Sequence, residues 1–161
     1  IEFGTEVQLV EVVNTYENGE MDVVCVARQV FKVQSFEPIM KDKLYAGGQV
    51  KLLENLNDAP QDLRQIVFEK LKILYDLMQV EFPDTELNKF NSYAFAHKMG
   101  LTFDQEYKLL QLTKETDRLQ YIMGHLKATI AVLKQIARTK TVIEMNGHFR
   151  NFDPLNFNDI N

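Results

Sequence analysis

Residues that could carry chemistry are few in this chain, and their spacing argues against a reaction. Ser35 and Ser92 are its two serines, and neither sits in the Gly-rich turn that exposes a nucleophile. His97, His125 and His148 are isolated from one another and from Cys25. No His-Glu-x-x-His pair or Cys/His cluster exists to hold zinc, so no metal site is expected. For His97 a helix-surface or interlobe position is the ordinary reading, and for His148 a structural hydrogen bond. The seven glycines never form a phosphate loop followed by Lys and Ser/Thr, so that route to ATP is closed and no cofactor is expected. Glu69, Asp76, Glu81 and Asp84 cluster in sequence, but carboxylates at such spacing ordinarily occupy the solvent face of a helix.

Phe36, Leu44, Tyr45, Phe82 and Phe90 differ in kind, because they are apolar residues at the ends of elements and in loops. Two readings apply. They line a groove that captures apolar polypeptide segments, or they close the gap where a sheet meets helices.

The elements that must position them follow from period and punctuation. Val7 to Val13 is apolar on parts of both strand faces, which predicts a strand inside a sheet or barrel. Asn18-Gly19 between two strand-like runs predicts a hairpin, since both residues accept positive φ. Met21 to Phe36 returns as a strand too long to stay flat, with a bulge or bend expected near Ala27-Arg28. Cys25, among valines there, reads as a reduced core thiol. Pro38 interrupts the ladder before a strand over Tyr45 to Leu53, in which Gly47-Gly48 marks a bend or close backbone approach.

Asp58-Ala59-Pro60 then opens a helix, with Asp58 as its cap. Leu63, Ile66, Val67, Leu71, Leu74, Leu77 and Met78 form its stripe, which Phe68 and Tyr75 widen. Tyr93 to Met99 is a short helix stopped by Gly100. Thr102-Phe103-Asp104-Gln105 has capping-box form and starts a helix at Phe103 that carries Leu109, Leu110 and Leu112. Thr113 reads as the cap of a long helix with a stripe of Leu119, Ile122, Met123, Leu126, Ile130, Leu133 and Ala137. Arg118, Gln120, Lys127, Thr129, Lys134 and Gln135 are placed on its solvated face. Val142 to Met145 reads as a short strand, and the Asn- and Asp-rich end as a loosely attached tail.

With 161 residues, 45% of them hydrophobic, the chain can bury a real core. The net charge of -5 gives no global positive field for nucleic acid. Charge is nevertheless uneven: Lys127, Lys134, Arg138 and Lys140 follow one another without an acid, whereas the first 59 residues are mainly acidic. The ordinary reading of the basic run is cations complementing the negative end of a long helix. A lone cysteine and no apolar run of spanning length predict a cytoplasmic protein, unless a leader precedes this start.

Read together, AFAHKMGLTFDQEYKLLQLTKETDRLQYIMGHL resembles the helical half of the Lon protease substrate-binding domain family. The pattern runs from a short helix before Gly100-Leu101 through Asp104-Gln105, Leu109-Leu110 and Arg118-Leu119 to Leu126. FGTEVQLVEVVNTYENGEMDVVCVARQVFKVQSF is similar to the hairpin of that family's sheet half. Small stand-alone bacterial members end in something similar to Asn146-Gly147-His148-Phe149.

The resemblance implies an α+β fold: a small antiparallel, barrel-like (PUA-like) sheet lobe over residues 1–58, a helical bundle over 59–140 and a tail over 141–161. It implies a non-catalytic domain that binds unfolded or partner polypeptide for ATP-dependent proteolysis, or as a stand-alone relative. The Ser/Lys peptidase and Walker ATPase parts of a Lon protease are not in this sequence. A nucleic-acid-binding module is the other reading, because the pseudo-barrel is shared with RNA-binding domains. The family's first strands, from an earlier Pro- and Leu-rich segment, are not represented. An open sheet edge near Val7 to Val13 is therefore expected, with self-association through it.

Overall fold

The computed structural model describes residues 1–148, and the architecture is α+β. Strands β1 (Phe3–Thr15), β2 (Met21–Glu37) and β3 (Gly47–Leu52) form an antiparallel sheet in that order, followed by helices α1 (Gln61–Met78), α2 (Ser92–Ala96), α3 (Phe103–Gln111) and α4 (Glu115–His148). A single 3-10 turn over Leu87–Lys89 interrupts the loop before α2.

The hairpin forms where Asn18-Gly19 predicts it. Gly19 has φ of 86° and its N–H donates to the Tyr16 carbonyl at 2.9 Å. The expected irregularity in β2 is a bulge at Arg28, since Glu6 pairs with Gln29 and Val7 with Ala27. Gly48 lies so close to the Ser35 carbonyl that a Cβ there would collide with backbone, which accounts for glycine at that position.

Strand β1 is an edge of the sheet, not an interior strand, and from Glu6 to Arg28 every residue of the hairpin is exposed. Cys25 is exposed with them, so the core thiol read from its valine neighbours is corrected. The hairpin extends past the point where the helices support it, and apolar composition alone could not reveal that. Support comes at its base, where Tyr107 Oη of α3 accepts the N–H groups of Glu2 at 2.7 Å and Phe3 at 3.1 Å.

The main core is helical. Val67, Leu71 and Leu74 of α1 pack with Leu119, Ile122 and Leu126 of α4, and Phe90, Phe95, Met99 and Leu109 close the sides. On α1 the buried stripe is rotated towards Phe68 and Tyr75, leaving Ile66 and Met78 exposed. The capping box holds as read: Gln105 N–H donates to Thr102 Oγ1, and the Thr102 N–H to Gln105 Oε1.

Three local readings change. Pro60, not Asp58, stands at the N-cap of α1, without a side-chain cap. Asp58 instead accepts the Thr116 N–H at 3.0 Å and so caps α4, in place of Thr113. The Asp58 carboxyl is held below the usual carboxylate range, chiefly by that N–H. Thr113 has a different task, accepting the Leu56 N–H while Glu115 N–H donates to the Leu56 carbonyl. Finally, Val142 to Met145 is helical, because α4 continues through it to His148. Thr141, Val142 and Ile143, three β-branched residues in a row, favour a strand only weakly against a helix already propagating into them. The remainder of the tail read over 141–161 lies outside the described residues.

Candidate functional site

The site is built where the sheet meets the helices, around a polar cluster whose Arg118 reads from the sequence as solvated. Arg118 is buried, not solvated. Its Nη2 lies 2.9 Å from Glu115 Oε2, and its Nε donates to that oxygen and to Ser92 Oγ, each at 2.9 Å. The Glu115 carboxylate also accepts Ser92 N–H at 2.8 Å and Ser92 Oγ–H at 2.7 Å, so it fixes the start of α2 against the start of α4. Arg64 of α1 approaches the same carboxylate at 3.9 Å and donates to the Phe90 carbonyl at 3.1 Å. A buried charge is tolerated only when paired and hydrogen-bonded, and this one is both. Ser92 is thus a structural hydroxyl.

The two arginines also orient amides. Arg118 Nη1 donates to Asn55 Oδ1 at 3.4 Å and to the Leu112 carbonyl at 2.7 Å, while Arg64 Nη2 donates to Asn57 Oδ1. With their oxygens engaged, Asn55 and Asn57 have their NH₂ groups as their remaining side-chain hydrogen-bonding groups. Both line a cavity of about 540 Å³ together with Arg64, Phe90, Glu115 and Arg118.

Tyr93 joins this polar cavity to two apolar ones. It lines a cavity of about 310 Å³ under the sheet with Ala27, Val30 and Leu110, and one of about 340 Å³ along α3 with Phe103, Tyr107 and Leu110. The Arg118 guanidinium stands 4.6 Å from the Tyr93 ring centroid. Among the described residues the buried Tyr93 hydroxyl has no hydrogen-bond partner. Burial pushes its pKa up, with the Glu115 charge adding to and the Arg118 charge opposing that shift.

The five apolar residues singled out from sequence do not meet in one groove. Phe90 is 2% exposed within the helical core, and Phe82 stacks on Phe95 at 5.7 Å and meets Phe68 edge-on at 5.3 Å. These two do what packing requires of a junction. Phe36, Leu44 and Tyr45 are exposed around the connection from β2 to β3. Of the five, Phe90 alone lines a cavity at Tyr93, beside Asn55, Arg64 and Arg118, whereas Arg118 reads from the sequence as solvated and Leu110 as part of a helix stripe. Among the described residues no His, Cys, Asp and Glu are grouped as a metal site, and no helix is long and apolar enough to cross a membrane.

No family model matches the chain, and no curated protein matches it. Among solved structures, a crystal structure of a Lon N-terminal domain protein from Xanthomonas campestris aligns with a TM-score of 0.51. The chain has a Lon N-terminal-like fold. The alignment covers 77% of this chain and 68% of that one at 18% identity, so the likeness is one of fold. In this Lon N-terminal-like fold the cavity of about 310 Å³ at Tyr93 lies between the three-stranded sheet and the helices that follow it, and the one of about 340 Å³ between α2 and α3.

Proposed function

We propose that the chain is a non-catalytic polypeptide-recognition domain of Lon substrate-binding type, and that an extended segment of unfolded or partner protein lies in the interlobe cleft. The observation that carries this reading is the junction of one polar and two apolar cavities at Tyr93. An extended peptide alternates side chains and carries an amide at every residue. Apolar side chains suit the Leu110 cavities, and the Asn55 and Asn57 amides suit peptide carbonyls. The Lon N-terminal-like fold supports the same reading, and proteolysis of the bound segment belongs to a separate ATP-dependent peptidase.

Fluorescence anisotropy with fluorescein-labelled casein tests it. Saturable binding with a Kd of about 1–50 μM is expected, weakened about tenfold or more by Leu110→Arg, a loss of about 1.4 kcal/mol or more. Far-UV circular dichroism checks that the variant keeps its fold. Wild-type protein that leaves anisotropy unchanged at about 200 μM, weaker than any Kd in that range, would refute the proposal. So would a folded Leu110→Arg variant that binds as tightly as the parent.

A further inference from the structure

The walls of the polar cavity hold more positive charge than they neutralise. Arg64 and Arg118 both line it, with side chains 11% and 4% exposed, and the acid among its lining residues is Glu115. That carboxylate lies 2.9 Å from Arg118 Nη2 but 3.9 Å from Arg64 Nη1, and among the described residues Arg64 has no other ion-pair partner. Lys89, the third cation of the lining, is exposed and pairs with Glu86 at 3.6 Å. One guanidinium charge is left over. The remaining contacts of Arg64 are neutral, since it donates to the carbonyls of Ala59 at 3.2 Å and Phe90 at 3.1 Å and to Asn57 Oδ1. Neutral acceptors satisfy N–H groups without cancelling a charge, and a charge withdrawn from water is costly until an opposite one stands beside it. Those contacts take three of the five N–H donors of Arg64, so two remain for Glu115 and an incoming oxygen.

The amides around it are turned the same way. Arginine can only donate, so Arg118 and Arg64 fix Asn55 and Asn57 with Oδ1 towards them, and the Ala94 N–H does the same to Asn91. All three asparagines line the cavity, and each is left with its NH₂ group as a donor. Such a set suits an acceptor. Peptide carbonyls meet that description, but a carbonyl is neutral and leaves the Arg64 charge as it was.

We propose that the bound polypeptide seats a carboxylate beside Arg64, either its chain end or an acidic side chain; this rests on the polypeptide-recognition reading and names the chemistry that the segment brings. A carboxylate supplies the one negative charge that the walls lack and accepts in bidentate form from guanidinium and amide donors. Nucleic acid suits the cavity less well, because it brings one negative charge per phosphate to a chain whose own net charge is -5.

Fluorescence anisotropy on the full chain tests this with a short N-terminally labelled peptide of alternating leucine and serine in three forms. The first has a free C-terminal carboxylate, the second a C-terminal amide, and the third a C-terminal amide with one central glutamate. Binding about tenfold tighter than the plain amide is expected of the first form if the chain end is the ligand, and of the third if a side chain is. The net charge of the chain acts against an acidic peptide, so a preference for one reports the cavity. Asn57→Asp places a carboxylate of the chain itself next to Arg64 at nearly unchanged volume, and it should bring the tenfold ratio down to about one. Circular dichroism checks that this variant folds. A plain amide that binds as tightly as both carboxylate forms overturns the proposal, as does a folded Asn57→Asp variant that keeps the ratio. Displacement of the bound peptide by an equimolar short RNA overturns it in favour of phosphate. Absence of binding by all three peptides overturns it as well, and labelled casein, read in parallel, then tells whether the polypeptide-recognition reading falls with it.

Discussion

Removing Glu115 should be among the costliest single changes in this chain, and restoring neutrality should undo much of the damage. The carboxylate is 1% exposed and accepts from Ser92 and Arg118, with Arg64 nearby. Glu115→Leu leaves the Arg118 guanidinium buried without its counterion, which costs about 3–5 kcal/mol. Arg118→Met leaves the carboxylate in the same position and costs a similar amount. In the double variant neither charge remains, and the expected penalty is no larger than for either single change. Two groups of Ser92 and the Leu112 carbonyl then stay unpaired, at about 1–3 kcal/mol for each group that water does not reach, a cost the single variants share. Urea unfolding resolves this easily, because about 4 kcal/mol moves the midpoint by about 2 M when the slope is about 2 kcal/mol/M. If the two single penalties add to within about 0.5 kcal/mol in the double variant, the groups are not coupled and the buried ion-pair account fails.

Asp58 gives a pH signature. Its carboxyl is depressed in the folded chain, so its contribution is complete above the unfolded value and disappears as pH falls through the folded one. The Thr116 amide resonance should titrate with a midpoint below the usual carboxylate range, and Asp58→Asn should remove that titration; a midpoint at or above the ordinary value contradicts the cap. Gly48→Ala should lower the melting temperature, since the added Cβ meets the Ser35 carbonyl and overpacking of this kind costs about 1–3 kcal/mol. An unchanged melt would mean that β3 moves aside freely.

What could be read from the sequence was local. The Thr102 and Gln105 cap, the turn at Asn18-Gly19 and the Leu119 to Ile130 stripe each depend on neighbours within one or two turns. The polar cluster was hidden because a helical wheel assigns every arginine to solvent. Arg118 is buried only because Ser92, 26 residues away, and Asn55, 63 residues away, meet it with Glu115. Asp58 was misassigned for the same reason, since an Asp before Ala-Pro satisfies the pattern of one helix start while its side chain serves another. The cleft followed suit: Tyr93 and Leu110 sit at helical spacings that suit packing, and only the sheet above them turns those positions into walls.

The Asp58 cap and the backbone staple beside it also impose a schedule on the ribosome. Asp58 and Thr116 are 58 residues apart, so the segment that closes the sheet onto the helices must wait for its partner to be made. At synthesis rates of about 5–20 residues per second, that wait is roughly 3–12 s. Throughout it the apolar face of α1 has no α4 to cover it, and the valine-rich hairpin has already emerged. A nascent chain in this state exposes two apolar surfaces at once. Its yield in a cell should therefore depend on how fast the stretch from Leu119 to Ile130 is translated.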